Sequence, residues 1–189
     1  MVDKAKLEDS LCEKAIRRWE AQNKQAASDA KDVNLTFPQP SLIRVMDRAL
    51  LNLTSCQRLS LSGNCIEHMI PLQGLASLQV LVLSRNDIRR IQHLDCVANT
   101  LEELWISYNM IEQLDGLSQC QRLRTLYISH NKIKKWEEVE KLSDNSRLEK
   151  VTLANNPVYK VAEIVKFKNF ENPKVSVLSR IPWLKSIDN

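Results

Sequence analysis

Asn64, Asn86, Asn109, Asn131 and Asn156 recur at spacings of 22, 23, 22 and 25 residues. A side-chain amide returning in one phase is hydrogen-bonding chemistry. It brings donors and an acceptor to backbone groups that a turn would otherwise leave buried and unpaired. The other reactive side chains form no comparable set. His68, His93 and His130 fall in different periods, and none stands at metal-ligand spacing from a Cys or another His. Cys12, Cys56, Cys65, Cys96 and Cys120 are odd in number and contain no C-x-x-C pair, so neither a disulfide frame nor a zinc site is indicated. Most of them read as small, reduced, buried apolar side chains, which fits the cytosol. Gly63, Gly74 and Gly116 are the only glycines, and neither phosphate-cradling motif nor nucleophile elbow occurs. Glu102-Glu103 and Glu137-Glu138 are adjacent pairs, and adjacent residues on a strand point to opposite faces, which is wrong for shared acid–base work. The inventory argues against an enzyme, a cofactor or a metal, and for recognition.

The asparagines must be positioned by a repeating element. Each closes an apolar-x-apolar pair and opens an x-apolar step. Examples are Leu59-Ser60-Leu61…Asn64-Cys65-Ile66 and Leu81-Val82-Leu83…Asn86-Asp87-Ile88. The same string holds Leu104-Trp105-Ile106…Asn109, Leu126-Tyr127-Ile128…Asn131 and Val151-Thr152-Leu153…Asn156. This is the leucine-rich repeat signature. It predicts an α/β solenoid of short repeats, about 22 residues each, with a parallel concave sheet and helical caps at both ends. The Leu-x-Leu stretch forms a brief strand with its leucines in the core. The chain returns along the convex side, where so short a period leaves room for 3₁₀ or single-turn helical pieces.

The whole chain, 1–189, reads as a single domain. Residues 1–30 form the N-terminal cap, 33–158 the repeats and 159–189 the C-terminal cap. Residues 4–27 have the spacing of an amphipathic helix through Leu7, Leu11, Ala15, Ile16 and Trp19. Residues 33–53 read as a degenerate repeat, with Ile43 and Met46 in phase with Ile66 and Met69. Ser41 stands in the asparagine slot, and Pro38 and Pro40 predict a poor strand. Residues 160–169 and 174–181 look helical, and Val175, Leu178, Ile181 and Leu184 are expected to fold over the last repeat.

Strand alternation then identifies the outer face of the sheet: Arg58, Ser60, Val80, Val82, Glu103, Trp105, Thr125, Tyr127, Lys150 and Thr152, with serines following. Most are small or polar. Val80, Val82, Trp105 and Tyr127 are not, and they fall on three successive strands. They are expected to form a contiguous exposed apolar patch, the usual mark of a partner site, and Trp and Tyr are enriched at interface hot spots. The alternative is that strands favour such residues anyway and a terminal helix covers them. Tyr108 and His130 would extend the patch. Glu103, Arg58, Lys150 and Arg85 would rim it with charge.

Net charge is +4, well short of a dense Lys/Arg block. It permits weak attraction to an acidic polymer, nucleic acid or tubulin alike. Lys160, Lys166, Lys168, Lys174, Arg180 and Lys185 crowd the C-terminal part. Such runs are commonly a solvated face, and the functional alternative is contact with an acidic filament. The charged start at Met1-Val2-Asp3-Lys4 does not read as a secretory signal, and no apolar stretch approaches membrane-spanning length.

The third repeat is more specific than the generic pattern. Thr100-Leu101-Glu102-Glu103-Leu104-Trp105-Ile106-Ser107-Tyr108-Asn109, followed by Leu114-Asp115-Gly116-Leu117, resembles the leucine-rich-repeat light chains of axonemal outer-arm dynein. Ala15-Ile16-Arg17-Arg18-Trp19-Glu20, Leu153-Ala154-Asn155-Asn156-Pro157 and Arg180-Ile181-Pro182-Trp183-Leu184-Lys185 extend the similarity over nearly the whole chain. The resemblance implies a non-catalytic regulatory subunit of a ciliary motor, located in the axoneme of a cilium or flagellum. Its expected partner is the microtubule-binding domain at the tip of the dynein heavy-chain stalk, met by the sheet face through Val80, Val82, Glu103, Trp105, Tyr127, Arg58 and Lys150. Lys160, Lys166, Lys168, Lys174 and Arg180 would lie near tubulin. Neither membrane nor nucleic acid is expected as a partner. Two other readings compete: a regulatory subunit of protein phosphatase-1, and a scaffold of an RNA particle. Both use arrays of similar period.

Overall fold

The computed structural model describes residues 11–36, 42–159 and 172–188. In it the five asparagines are buried at the exits of successive strands. Asn109 is representative. Its Oδ1 accepts the N–H of Ile88, one repeat earlier, at 3.0 Å. Its Nδ2 donates to the carbonyl of Leu83 in the preceding repeat and to that of Ile106 in its own, each at 3.0 Å. The oxygens of Asn64, Asn86, Asn131 and Asn156 accept from Ile43, Ile66, Ile111 and Ile133 in the same way. One side chain thus satisfies three backbone groups in two repeats and ties the repeats together.

The strands this ladder aligns are short. They are β1 (Asp32–Asn34), β2 (Arg58–Ser60), β3 (Val80–Val82), β4 (Glu103–Trp105), β5 (Thr125–Tyr127), β6 (Lys150–Thr152) and β7 (Ser186–Ile187). They form one parallel sheet in chain order. The register stacks Val33, Leu59, Leu81, Leu104, Leu126, Val151 and Ile187 in a single buried row. Leu35, Leu61, Leu83, Ile106, Ile128 and Leu153 form the next row inward, all fully buried. No repeat could bury such an edge alone, so burial and stacking are one event.

The convex return consists of 3₁₀ pieces at Arg48–Asn52, Asp95–Val97, Asp115–Leu117 and Lys141–Asp144, and a short helix α2 (Trp136–Glu140). This matches the brief convex segments that the period demands. At Gly74 and Gly116 the backbone passes so close to the carbonyls of Leu51 and Ile91 that a Cβ would collide with them. Glu137 and Glu138 lie in α2 and not on a strand. Glu138 is structural: it accepts the N–H of Leu114 at 2.9 Å and pairs with Lys141 at 2.8 Å.

Helix α1 (Leu11–Asn23) covers the first layer with Cys12, Ala15, Ile16 and Trp19. Leu7 lies outside the described residues, as do Pro38, Pro40 and Ser41. A regular strand precedes those prolines, so the first repeat is less degenerate than expected: Val33 pairs with Leu59. At the other end, α3 (Pro173–Arg180) and β7 close the stack. The expected capping face is corrected. Val175 and Leu178 are exposed, whereas Val177, Ile181 and Leu184 are buried. Steps of three fall about 60° short of a full helical turn each time, so a run of three-residue steps winds round the helix. The four-residue step from Val177 to Ile181 is the one that keeps its face. The seventh strand was not foreseen.

Two outcomes are expected. Asn109→Ala leaves the Ile88 N–H without its acceptor, whereas the carbonyls of Leu83 and Ile106 keep the amides of Asn86 and Asn131. At about 1–3 kcal/mol for the one buried group left unpaired, the loss in urea unfolding is expected to be about 1–3 kcal/mol. Met110→Ala, at an exposed neighbour, serves as the control and leaves stability unchanged. The thiols give the second. Burial pushes Cys12 up to about 12 and Cys56 and Cys120 up to about 11, from 9.0. The unfolded chain loses these protons near pH 9 and the folded chain does not. Stability therefore falls as pH rises from about 9 to 11, by roughly 1.4 kcal/mol per pH unit for each thiol. Denaturant titrations at pH 8 and pH 10 would measure it, and no difference between them would disprove the assignment.

Candidate functional site

The outer face of the sheet is ordered by register. Ser60, Val82, Trp105, Tyr127 and Thr152 form one row across β2 to β6, beside the row of Arg58, Val80, Glu103, Thr125 and Lys150. Strands about 4.8 Å apart bring the two large rings into contact. The Trp105 and Tyr127 ring centres are 4.6 Å apart, with planes tilted by 59°. The Arg58 guanidinium lies 5.4 Å from the Trp105 ring centre, and the Lys150 ammonium 5.0 Å from that of Tyr127. The Trp105 indole N–H donates to Glu103 Oε2 at 2.9 Å. The order across the sheet is therefore cation, indole, phenol, cation, with each cation held against a ring face.

This corrects the expectation of a bare apolar patch. Trp105 and Tyr127 are half-buried. Val82 points to the outer face as expected but is only 6% exposed, and Val80 is half-buried. The reason is geometric. Arg58 on β2 meets Trp105 on β4, so the pair spans β3 and roofs its valines.

A second row runs along the strand exits. Arg85, Tyr108 and His130 each precede a ladder asparagine and each adopt a left-handed backbone, with φ of 58°, 59° and 55°. The Arg85 guanidinium sits 4.6 Å from the Tyr108 ring centre. Tyr108 and His130 stack with ring centres 4.0 Å apart and planes within 13°. The sequence placed these residues at the edge of the patch. It did not reveal that a left-handed turn recurs before every asparagine and aims successive side chains along one line. Between the two rows lies an open hollow of about 400 Å³, floored by Ser84, Ser107, Ser129 and Thr152.

Asp188 closes the hollow and was missed in the sequence. Its Oδ1 accepts the N–H groups of Leu153 and Ala154 at 2.6 and 2.8 Å. Its Oδ2 accepts the Tyr159 hydroxyl at 2.7 Å. Burial, together with that carboxylate, raises the Tyr159 pKa well above the usual tyrosine range. No motif marks an aspartate that takes the place of a strand, so the sequence held no signal for it.

Of the basic residues, Lys160, Lys166 and Lys168 lie outside the described residues. Lys174 is exposed in the first turn of α3. Arg180 is built into the fold: its Nε donates to Glu140 at 2.9 Å and its guanidinium lies 5.0 Å from the Trp136 ring centre, joining α3 to α2. Among the described residues no group of three or more His, Cys, Asp or Glu is placed to hold a metal ion. Among them, no helix is long and apolar enough to cross a membrane.

Residues 99–144 match the model of the family described as leucine rich repeats, in two copies. A dynein axonemal light chain 1 of Chlamydomonas reinhardtii is 41% identical over 92% of this chain and 86% of its own length. The chain belongs to the axonemal dynein light chain 1 family. The Homo sapiens member is 40% identical over 92% of this chain and 88% of its own length. The solved Drosophila melanogaster SNF/U2A' complex contains a chain with the same fold, with a TM-score of 0.60 and 23% identity, covering 77% of this chain and 84% of that one. Within the family frame, the two ring rows and the cations against them are the feature of this light chain that core packing leaves unexplained.

Arg58→Ala is expected to uncover Val82 and weaken the fold by about 0.5–1 kcal/mol, the range of a surface cation–π contact. In a double-mutant cycle with Trp105→Leu, urea unfolding should show the two effects to be coupled. Strict additivity would mean the guanidinium does not rest on the indole in solution.

Proposed function

We propose that this chain is a non-catalytic regulatory light chain of outer-arm axonemal dynein, residing in the axoneme of a cilium or flagellum. Its concave sheet face binds the microtubule-binding domain at the tip of the heavy-chain stalk. The observation that carries this is the Trp105–Tyr127 pair. It is a large aromatic contact centred on the sheet, in a chain alignable over nearly its full length with dynein axonemal light chains. Aromatic side chains of this kind are the usual energetic centre of an interface. The rings already rest against Arg58 and Lys150, contacts that lower the side-chain entropy left to lose on binding.

The mechanism follows from position rather than chemistry. A rigid solenoid fixed to the stalk tip adds bulk and positive charge next to the filament. Exposed Lys174 is the described member of the basic set that remains free to face acidic tubulin. Shifting the stalk between filament-binding states needs a differential interaction of only about 1–3 kcal/mol. The light chain would thereby modulate ciliary motility without acting on nucleotide.

Calorimetric titration of the purified protein with isolated stalk-tip domains of outer-arm heavy chains tests this. One heavy chain is expected to bind, and Trp105→Ala is expected to weaken it by roughly 2 kcal/mol or more, beyond the loss of about 0.5–1 kcal/mol in fold stability that its cation–π contact implies. Absence of binding to every stalk-tip domain overturns the reading. Capture of a phosphatase catalytic subunit or of an RNA-particle component would then replace it.

A further inference from the structure

We infer that Arg85 and the hollow beside it form a receptor for a single carboxylate side chain of the partner. This rests on the proposed stalk-tip reading for the identity of the partner, and on geometry for the chemistry. Three cations stand on the sheet face, and each meets an aromatic ring: Arg58 with Trp105, Arg85 with Tyr108, and Lys150 with Tyr127. A cationic side chain arriving here would meet like charges at ring faces that are already occupied. An acidic group arriving beside Arg85 would instead meet an unpaired opposite charge.

The acids nearby are committed. Glu103 accepts the indole N–H. Asp188 accepts two backbone N–H groups and a phenol. Asp32 stands 3.8 Å from Arg58. Arg85 makes no salt bridge among the described residues. Its guanidinium lies over the Tyr108 ring at 4.6 Å from the ring centre, and its N–H groups enter no ion pair among the described residues. A guanidinium placed over a ring and unpaired with any acid can offer two parallel hydrogen bonds to a carboxylate.

The hollow supplies the rest of the site. Trp105 and Tyr127 wall one side and Tyr108 and His130 the other, a channel suited to the methylene stem of a glutamate.

The test uses isotope-labelled full-length protein titrated with N-acetyl-glutamate amide and, separately, with N-acetyl-glutamine amide. The glutamate derivative is expected to produce saturable shifts at Arg85, Tyr108 and Ser129, lost in Arg85→Gln and reduced in Arg85→Lys, which keeps the charge but not the fork. Circular dichroism checks that each variant is folded. Equal responses to both compounds, or none, overturn the carboxylate receptor. With the stalk-tip domain, Arg85→Gln is expected to weaken binding about tenfold, as for one lost charge-assisted contact. Stalk-tip binding unchanged by Arg85→Gln overturns the inference while leaving the stalk-tip reading intact. No stalk-tip binding, with the glutamate response retained, removes the reading and keeps the receptor.

Discussion

Every feature on the sheet face depends on the buried asparagine amide that joins one repeat to the next. Strands of three residues carry too few hydrogen bonds to hold a register by themselves. The amide adds an acceptor and a donor at the strand exit, where the backbone turns and its polar groups would be stranded in the core. Because the same amide bonds to both repeats, an error in stacking leaves buried groups unpaired in two places. The penalty for a slipped repeat is therefore steep. The concave rows inherit that accuracy: rings and cations from different strands meet within about 5 Å because the ladder beneath them repeats without drift.

On top of that frame, the chain resolves the tension between solubility and an aromatic surface. Bare Trp and Tyr side by side would invite association with other chains. Here each ring is met by a cation from within the molecule, so the face presents charge at its rim and polarisable surface at its centre. The arrangement also roofs Val82, which removes an apolar side chain from solvent without placing it in the core. Such a face is polar enough to stay wet when free and aromatic enough to matter when covered. That combination is expected of a subunit that joins a larger machine.

The solenoid was legible in the sequence because its physics is periodic. The leucine pairs and the asparagines each state one requirement many times over, and repetition makes a weak signal strong. The outward residues Arg58, Val80, Val82, Glu103, Trp105, Tyr127 and Lys150 followed from strand alternation alone. Their mutual arrangement did not, because alternation assigns a face and not a neighbour two strands away. The reach of Arg58 over β3 depends on side-chain length and sheet curvature. The C-terminal cap was misread at Val175 and Leu178 because a short helix offers too few turns to separate a three-residue step from a four-residue one. Asp188 and the strand before it are single events with no second copy to compare.

The left-handed residues before the asparagines bear on how such a chain can evolve. Gly63 and Asn155 occupy that conformation with side chains suited to it and His130 with a tolerated one, whereas Arg85 and Tyr108 do so at greater cost. Each of the three carries a backbone strain of order 1 kcal/mol or more. Selection for a durable fold alone would drift toward glycine or asparagine at these positions, as the outer repeats show. Bulky side chains at the middle three therefore set a backbone cost against the surface they build. A version of this protein optimised in the laboratory for heat resistance would tend to erase that surface first.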